Sequence, residues 1–164
     1  MRVRLFSLGL WLKIPLVNSV FVEAARADAK VAIERACTDL VLDYAYYRDR
    51  PDAQRVADLF AEEAILTVLG QQFKGRDAIR ARLQGAAQGP VFRHLMSTIR
   101  IFVESDRRAT GVSYVTVYSA PSGDLPAPLS VPLGVGEYHD VFVSTDAGWK
   151  IERRSFVPVF MPEQ

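Results

Sequence analysis

The stretch FRHLMSTIRIFVESDRRATGVSYVTVYS, residues 92–119, decides the fold class. It reads as two long strands, Phe92 to Val103 and Ala109 to Ser119. The second is dense in Val, Thr and Tyr, whose branched and aromatic side chains pack well on a pleated surface. Towards the C-terminus, Pro121 to Pro132 holds four prolines and one glycine and reads as a loop, placed either to cover a mouth or to extend a dimer contact. Leu133 to Ser144 is a further strand, Thr145 to Gly148 a turn, and Trp149 to Val159 the last strand. Towards the N-terminus, Gly85 to Pro90 is loop. Arg76 to Ala87 reads as a helix with Ile79 and Leu83 as its apolar stripe. Ala64 to Leu69 is a short β-prone run that Gly70 ends, with Gln71 to Lys74 as its hairpin partner and Gly75 as the next break. Ala53 to Phe60 is a short helix, with Val56, Leu59 and Phe60 on one side. Before it, Arg50-Pro51-Asp52 interrupts a longer one, because proline lacks a donor and restricts its predecessor. That longer helix, Asp28 to Arg48, carries Ile33, Ala36, Cys37, Leu40, Val41 and Tyr44 at helical spacing, with Asp28 as its N-cap.

Helices first and strands after predict an α+β fold: three N-terminal helices on one face of an antiparallel sheet. A strongly twisted and curved sheet makes a cone-shaped barrel, whose mouth the helices close around a pocket. The 164 residues suit one domain with a real core and room for a cavity. Lys plus Arg (20) nearly balance Asp plus Glu (19), so the charge gives no general drive towards nucleic acid. The single cysteine, Cys37, excludes an internal disulfide and a cysteine zinc site, and two histidines exclude a His-rich metal centre. Cys37 reads as a small core residue. Residues 1–27 form a leader or arm. Residues 2–12 resemble the basic and apolar parts of a secretory signal, with Ala25-Arg26-Ala27 as an A-x-A site, but Lys13 and Glu23 interrupt the pattern. The run is too short and broken for a membrane span. The expected location is cytoplasmic, or secreted or periplasmic if residues 1–27 are a signal. Residues 28–164 form the domain.

Three segments resemble the SnoaL-like, nuclear-transport-factor-2-like superfamily. Tyr44-Ala-Tyr-Tyr-Arg-Asp49-Arg-Pro-Asp52 with Leu59-Phe60 is similar to its helix ending Y-A-x-x-x-D-x-x-D and the following L-F. Gly75-Arg76-Asp77-Ala78-Ile79 is similar to its G-R-x-A-I entry into the third helix. Gly136-Glu-Tyr138-His-Asp140, then Gly148-Trp149-Lys150-Ile151 and Arg153-Arg154, is similar to G-x-Y-x-D … G-W-x-I-x-x-R. Together they cover about residues 30 to 156. The superfamily includes scytalone dehydratase, hexachlorocyclohexane dehydrochlorinase, ketosteroid isomerase, limonene epoxide hydrolase and polyketide cyclases, as well as domains with no chemistry, so the site needs its own argument.

The resemblance to the dehydratase and the dehydrochlorinase puts Asp49, at the end of the first helix, in the position that orients a histidine, and His94, at the start of the first long strand, in the position of that histidine. An imidazole titrates near neutrality and can move a proton to or from carbon or a leaving hydroxyl, while a carboxylate on its other nitrogen sets the tautomer. The alternative is a local cap or ion pair at Asp49 and a satisfied core His94. Tyr44, Tyr47, Tyr114 and Tyr138 are candidate substrate-positioning phenols, each alternatively a core aromatic, with Tyr44 and Tyr138 the preferred pair. Arg154 matches the dehydrochlorinase's late arginine, which implies a hold on a leaving group or oxyanion. The alternative is a solvated end-of-strand charge, or Arg153 in its place if the register slips by one. Asp140 is a candidate partner for an arginine of the neighbouring strand. His139 alternates with Tyr138 and reads as surface or dimer interface. The dehydratase's two pocket tyrosines correspond here to about Arg48 and Val68, and its second histidine to about Ser113. The ketosteroid isomerase base falls near Thr67 or Val68, where no carboxylate stands.

The expectation is a cofactor-independent lyase or isomerase that uses no metal and acts on a small apolar cyclic or aromatic substrate. The alternative is a non-catalytic ligand-binding or dimerisation domain of the same fold. A homodimer through the outer sheet face is implied by resemblance only.

Overall fold

The computed structural model describes residues 16–50, 52–84, 89–121 and 125–163, with side chains described from residue 20 onwards. The elements are α1 (Leu16–Arg48), α2 (Ala53–Asp58), β1 (Phe60–Val68), β2 (Gln71–Lys74), α3 (Arg76–Gln84), β3 (Val91–Val103), β4 (Arg108–Ala120), β5 (Gly134–Thr145) and β6 (Gly148–Phe160). They form an α+β cone: one curved, unclosed six-stranded sheet in the order β2-β1-β6-β5-β4-β3, with α1 packed across β3, β4 and β6.

The apolar stripe of α1 enters the core as its spacing predicts. Cys37, Val41 and Tyr44 are buried there with Val56, Phe60, Leu66, Ile79, Phe142 and Ile151. The helix starts earlier than the sequence reading allows, however. It is continuous from Leu16, so Asp28 caps nothing. The Ala-, Arg- and Glu-containing run before it has no breaker and joins the helix. Its residues 20–32 are exposed and pack on nothing described. Of the leader, residues 1–15 lie outside the described residues, and so do residues 85–87 at the expected end of the third helix.

Asp52 caps α2 by accepting from the Arg55 amide at 3.0 Å. That helix is shorter than expected and Phe60 opens β1 instead of closing α2. The reason is tertiary: the Ile151 amide donates to the Leu59 carbonyl at 2.9 Å, and Phe60 pairs with Ile151 while fully buried. This β1–β6 pairing is parallel, which corrects the expectation of an entirely antiparallel sheet.

The hairpin turn Leu69-Gly70 has φ of 49° and 81°, the double positive φ that matches the twist of flanking strands. In β3 the register shifts between Ser97 and Arg100, with Thr98 at φ 46°. A bulge there bends the strand over α1 and gives the sheet part of its curvature.

The motif residues have structural reasons. Gly75 takes φ 81° and gives its amide to the Ala64 carbonyl at 2.8 Å. Arg76 reaches back to the Phe60 carbonyl with Nε at 3.1 Å and Nη2 at 2.9 Å. A Cβ on Gly136 would stand 2.5 Å from the Val157 carbonyl oxygen and 2.6 Å from the Phe156 ring, so only glycine lets β5 and β6 approach there.

Candidate functional site

Asp49 follows the last residue of α1, its amide still bonded to the Ala45 carbonyl at 3.0 Å. Helix periodicity and the break after it thus set the carboxylate at the helix end, facing the start of β3. There it accepts three bonds from one residue: His94 N–H reaches Oδ2 at 3.0 Å and Oδ1 at 3.2 Å, and His94 Nδ1 lies 2.6 Å from Oδ1. A carboxylate only accepts, so Nδ1 carries the hydrogen and the neutral ring keeps its lone pair on Nε2. Among the described residues Nε2 has no protein partner. Both side chains are 8% exposed. Phe92, two residues before His94 on the same face, has its ring 6.2 Å from the imidazole, and the Arg48 guanidinium stands 4.9 Å over that ring.

Deeper in the cone, Tyr44, Tyr138, Asp140 and Arg154 form a second constellation. Arg154 Nε and Nη2 each donate to Asp140, to Oδ1 and Oδ2 respectively, both at 2.7 Å, and the side chains are 0% and 1% exposed. The β5–β6 register pairs Asp140 directly with Arg154 and puts Tyr138 two residues along on the same face. The guanidinium carbon lies 4.2 Å from the Tyr44 ring centre and 4.6 Å from that of Tyr138. Burial opposes the charge on Arg154, but Asp140 outweighs it and leaves the guanidinium pKa raised. Burial pushes the Tyr138 phenol well above its ordinary range; Tyr44 adds to that and Arg154 opposes it. Tyr138 is therefore a hydrogen-bond donor across the neutral pH range. Cys37, fully buried, is pushed up to about 12, by burial first and by the Asp140 charge second. Arg154 Nη1 and Ser113 Oγ are buried without a hydrogen-bond partner.

The structure thus brings Asp49 to His94, and Tyr44 to Tyr138 and Arg154. Arg154 is not a solvated end-of-strand charge, and Arg153 does not take its place. Tyr47 lies towards α2, where Arg55 Nη1 donates to its hydroxyl at 3.3 Å. Tyr114 is on the opposite, outer face of β4, 44% exposed, so neither it nor Tyr47 joins Tyr44 and Tyr138. His139 is exposed, with Nε2 2.8 Å from Glu137. Asp58 is bonded to Gln54 on the α2 surface. The sequence reading does not name Phe92, or the second anchor of Asp49 on the His94 amide. No local pattern marks either, because both depend on how α1 meets β3. Among the described residues no three His, Cys, Asp or Glu side chains cluster as a metal site, and no helix is long and apolar enough to cross a membrane.

An open groove of about 360 Å³ lies at the β3–β4 edge, and Phe92 lines it too. Its lining also includes Val91, Arg93, Leu95, Tyr118, Leu125 and Leu129. The proline-containing segment turns back over this edge, with the Leu133 amide on the Val117 carbonyl at 2.7 Å. Residues 122–124 of that segment lie outside the described residues.

Comparison with known proteins agrees with this geometry at the level of family and fold. The SnoaL-like domain model matches residues 29–155. A candidate scytalone dehydratase from Novosphingobium aromaticivorans superposes with a TM-score of 0.70 at 26% identity, over 82% of this chain and 89% of that one. Hexachlorocyclohexane dehydrochlorinase LinA-type3 from Novosphingobium barchaimii superposes with a TM-score of 0.66 at 20% identity, over 82% and 98%. An NTF2-like protein with a cystatin-like fold, also from Novosphingobium aromaticivorans, has a TM-score of 0.66 at 23% identity over 92% of each chain. The last two show the fold alone. No curated protein matches the sequence.

Proposed function

The chain belongs to the SnoaL-like domain family, and from that premise we propose that it is a cofactor-independent lyase or isomerase in which His94, oriented by Asp49, abstracts a proton from carbon. The observation that carries this reading is the contact of 2.6 Å between His94 Nδ1 and Asp49 Oδ1, which leaves Nε2 as the free basic nitrogen. Nε2 takes the proton next to an activating group, and the electron pair left on carbon becomes a double bond. A leaving group departs from the neighbouring carbon, or the double bond shifts. Asp49 stabilises the imidazolium formed, and the imidazolium returns the proton to the leaving group or to the product. Tyr44 and Tyr138 offer phenol donors to an oxygen on which charge develops. The apolar surroundings select a small, largely apolar ring.

The test uses cyclic β-hydroxyketones and chlorinated cyclohexanes, followed by the absorbance of the unsaturated product and by halide release. Wild type turns over at least one of them, and His94→Ala lowers the rate by about 10²–10⁴-fold. A His94→Ala protein that keeps the wild-type rate sinks the dyad. If wild type converts none of them but ring-containing ketones protect it against thermal unfolding, the ligand-binding reading takes its place.

A homodimer through the outer sheet face belongs to the same reading. Its support is the exposure of Leu95 on β3, Tyr114 on β4 and Val157 on β6, all on that face. Light scattering of wild type and of Tyr114→Glu tests it. A monomeric wild type removes it.

A further inference from the structure

Two of the three nitrogens of Arg154 are committed to Asp140, and the guanidinium is fully buried. It sits in the corner of two tyrosine rings that are inclined at 71° with centres 5.5 Å apart. Tyr44 also packs edge-on against Phe60 at 6.1 Å, and Tyr138 lies tilted by 58° against Phe156 at 5.7 Å. Each of the two phenols comes from a different element, α1 and β5, and Arg154, on β6, touches both.

A planar, always-charged fork held by a carboxylate cannot rotate without breaking two charge-assisted bonds. Whatever rests on its face inherits that rigidity. We infer that Arg154 and Asp140 are a positioning pair, in which the guanidinium, fixed edge-on by one carboxylate, acts as the wedge that sets the Tyr44 and Tyr138 rings relative to each other inside the cone. Arg154 then acts on a bound molecule through the two phenols, not as a direct holder of a leaving group. The catalytic consequence rests on the proposed function; the ordering of the rings does not. The geometry also explains why a charged pair stands where apolar residues of similar volume would be no less stable. An apolar pair fills the space, but it holds neither ring by a cation–π contact.

The test separates filling from positioning. Tyrosine ring flips are measured by aromatic NMR on the whole chain, with Tyr44→Phe and Tyr138→Phe for assignment. Two variants are compared with wild type: Arg154→Lys, which keeps the charge and loses the planar fork, and the double variant Asp140→Leu/Arg154→Met, which strands no buried charge. The double variant recovers the melting temperature lost in Arg154→Met. In it both rings flip about tenfold faster or more, the scale of a lost buried cation–π contact, and in Arg154→Lys, which loses the planar fork fixed by two bonds, both rings flip faster than in wild type. Wild-type flip rates in a folded double variant overturn the inference. Should the double variant fail to fold, the ring rates of Arg154→Lys decide alone. On any substrate that turns over, Arg154→Lys lowers kcat with KM nearly unchanged, and a variant altered only in KM shows direct binding instead. Because the ring rates need no substrate, failure of the proposed function leaves this result readable.

Discussion

The molecule holds two buried acid–base pairs on the inner face of one sheet, and they are built for different ends. Asp140–Arg154 joins neighbouring strands at a register position, is closed to solvent, and satisfies both carboxylate oxygens with one partner. Asp49–His94 joins a helix end to a strand start. It keeps a small exposure on both side chains and, among the described residues, leaves one ring nitrogen without a protein partner. Asp140 spends both oxygens on Arg154, whose guanidinium lies against two flanking rings, and the pair joins one strand to the next. Asp49 holds both Nδ1 and the backbone amide of His94 and leaves Nε2 without a partner among the described residues, the arrangement that the proposed proton transfer needs. Both pairs keep one nitrogen without a partner among the described residues, Arg154 Nη1 and His94 Nε2; they differ in that a guanidinium only donates, whereas a neutral imidazole nitrogen can accept.

The contrast predicts different failures. The largest stability effect is at Arg154. Arg154→Met leaves Asp140 buried and unpaired, and urea unfolding should show a loss of about 3–5 kcal/mol. A loss below 1 kcal/mol would mean that water reaches the pair and that the difference between the two sites is smaller than drawn. Asp49→Asn removes the charge but keeps the shape. It is expected to cost about 1–3 kcal/mol, the value of a part-buried charge-assisted network. Its elimination rate should fall further than its stability explains, since the histidine tautomer is no longer imposed.

Cys37 sharpens the picture through pH. Its thiol is held protonated up to about 12 in the folded chain, against 9.0 when unperturbed. The folded state therefore binds a proton that the unfolded state has released between these values. The stabilising share of Cys37 is present below pH 9 and lost as pH rises towards 12, at no more than about 1.4 kcal/mol per pH unit. Chemical denaturation between pH 8 and 11 should be steeper in pH for wild type than for Cys37→Ala, and the native thiol should resist alkylation at pH 8. Equal slopes would show that the Asp140 surroundings are wet. The smallest effect is expected at His139. Its pair with Glu137 is solvent-exposed, and His139→Ala should shift stability by less than about 0.5 kcal/mol. A larger loss would make the outer face part of a buried interface and support the dimer.

The parts legible in the sequence are those that local chemistry dictates. The apolar spacing of Ile33 to Tyr44 yields the core face of α1, and the alternation in β4 and β5 yields their inner faces. Gly70, Gly75 and Gly148 mark turns where φ is positive. Asp49 and His94 stand out by residue type and motif resemblance, 45 positions apart, and neither carries a local mark of the other. The elements that depart from the sequence pattern do so for different reasons. Phe60 has the neighbours of a helical residue, but its pairing with Ile151 draws it into β1. Asp28 is a good cap in isolation, but the turn before it is equally good helix. Tyr114 has the chemistry of a pocket residue, and the face of β4 it occupies is the outer one.

The sequence by itself determined the order of helices and strands, the turn positions, the family and the residue types available for proton transfer, because periodicity, φ preference and side-chain chemistry are properties of short segments. Only the tertiary structure decided that α1 ends against the start of β3, that β1 runs parallel to β6, and that Asp140 faces Arg154 in register beneath two tyrosines. Those are contacts between distant segments. They are selected by which arrangement buries the shared apolar face and satisfies each buried polar group, and no window of sequence contains that sum.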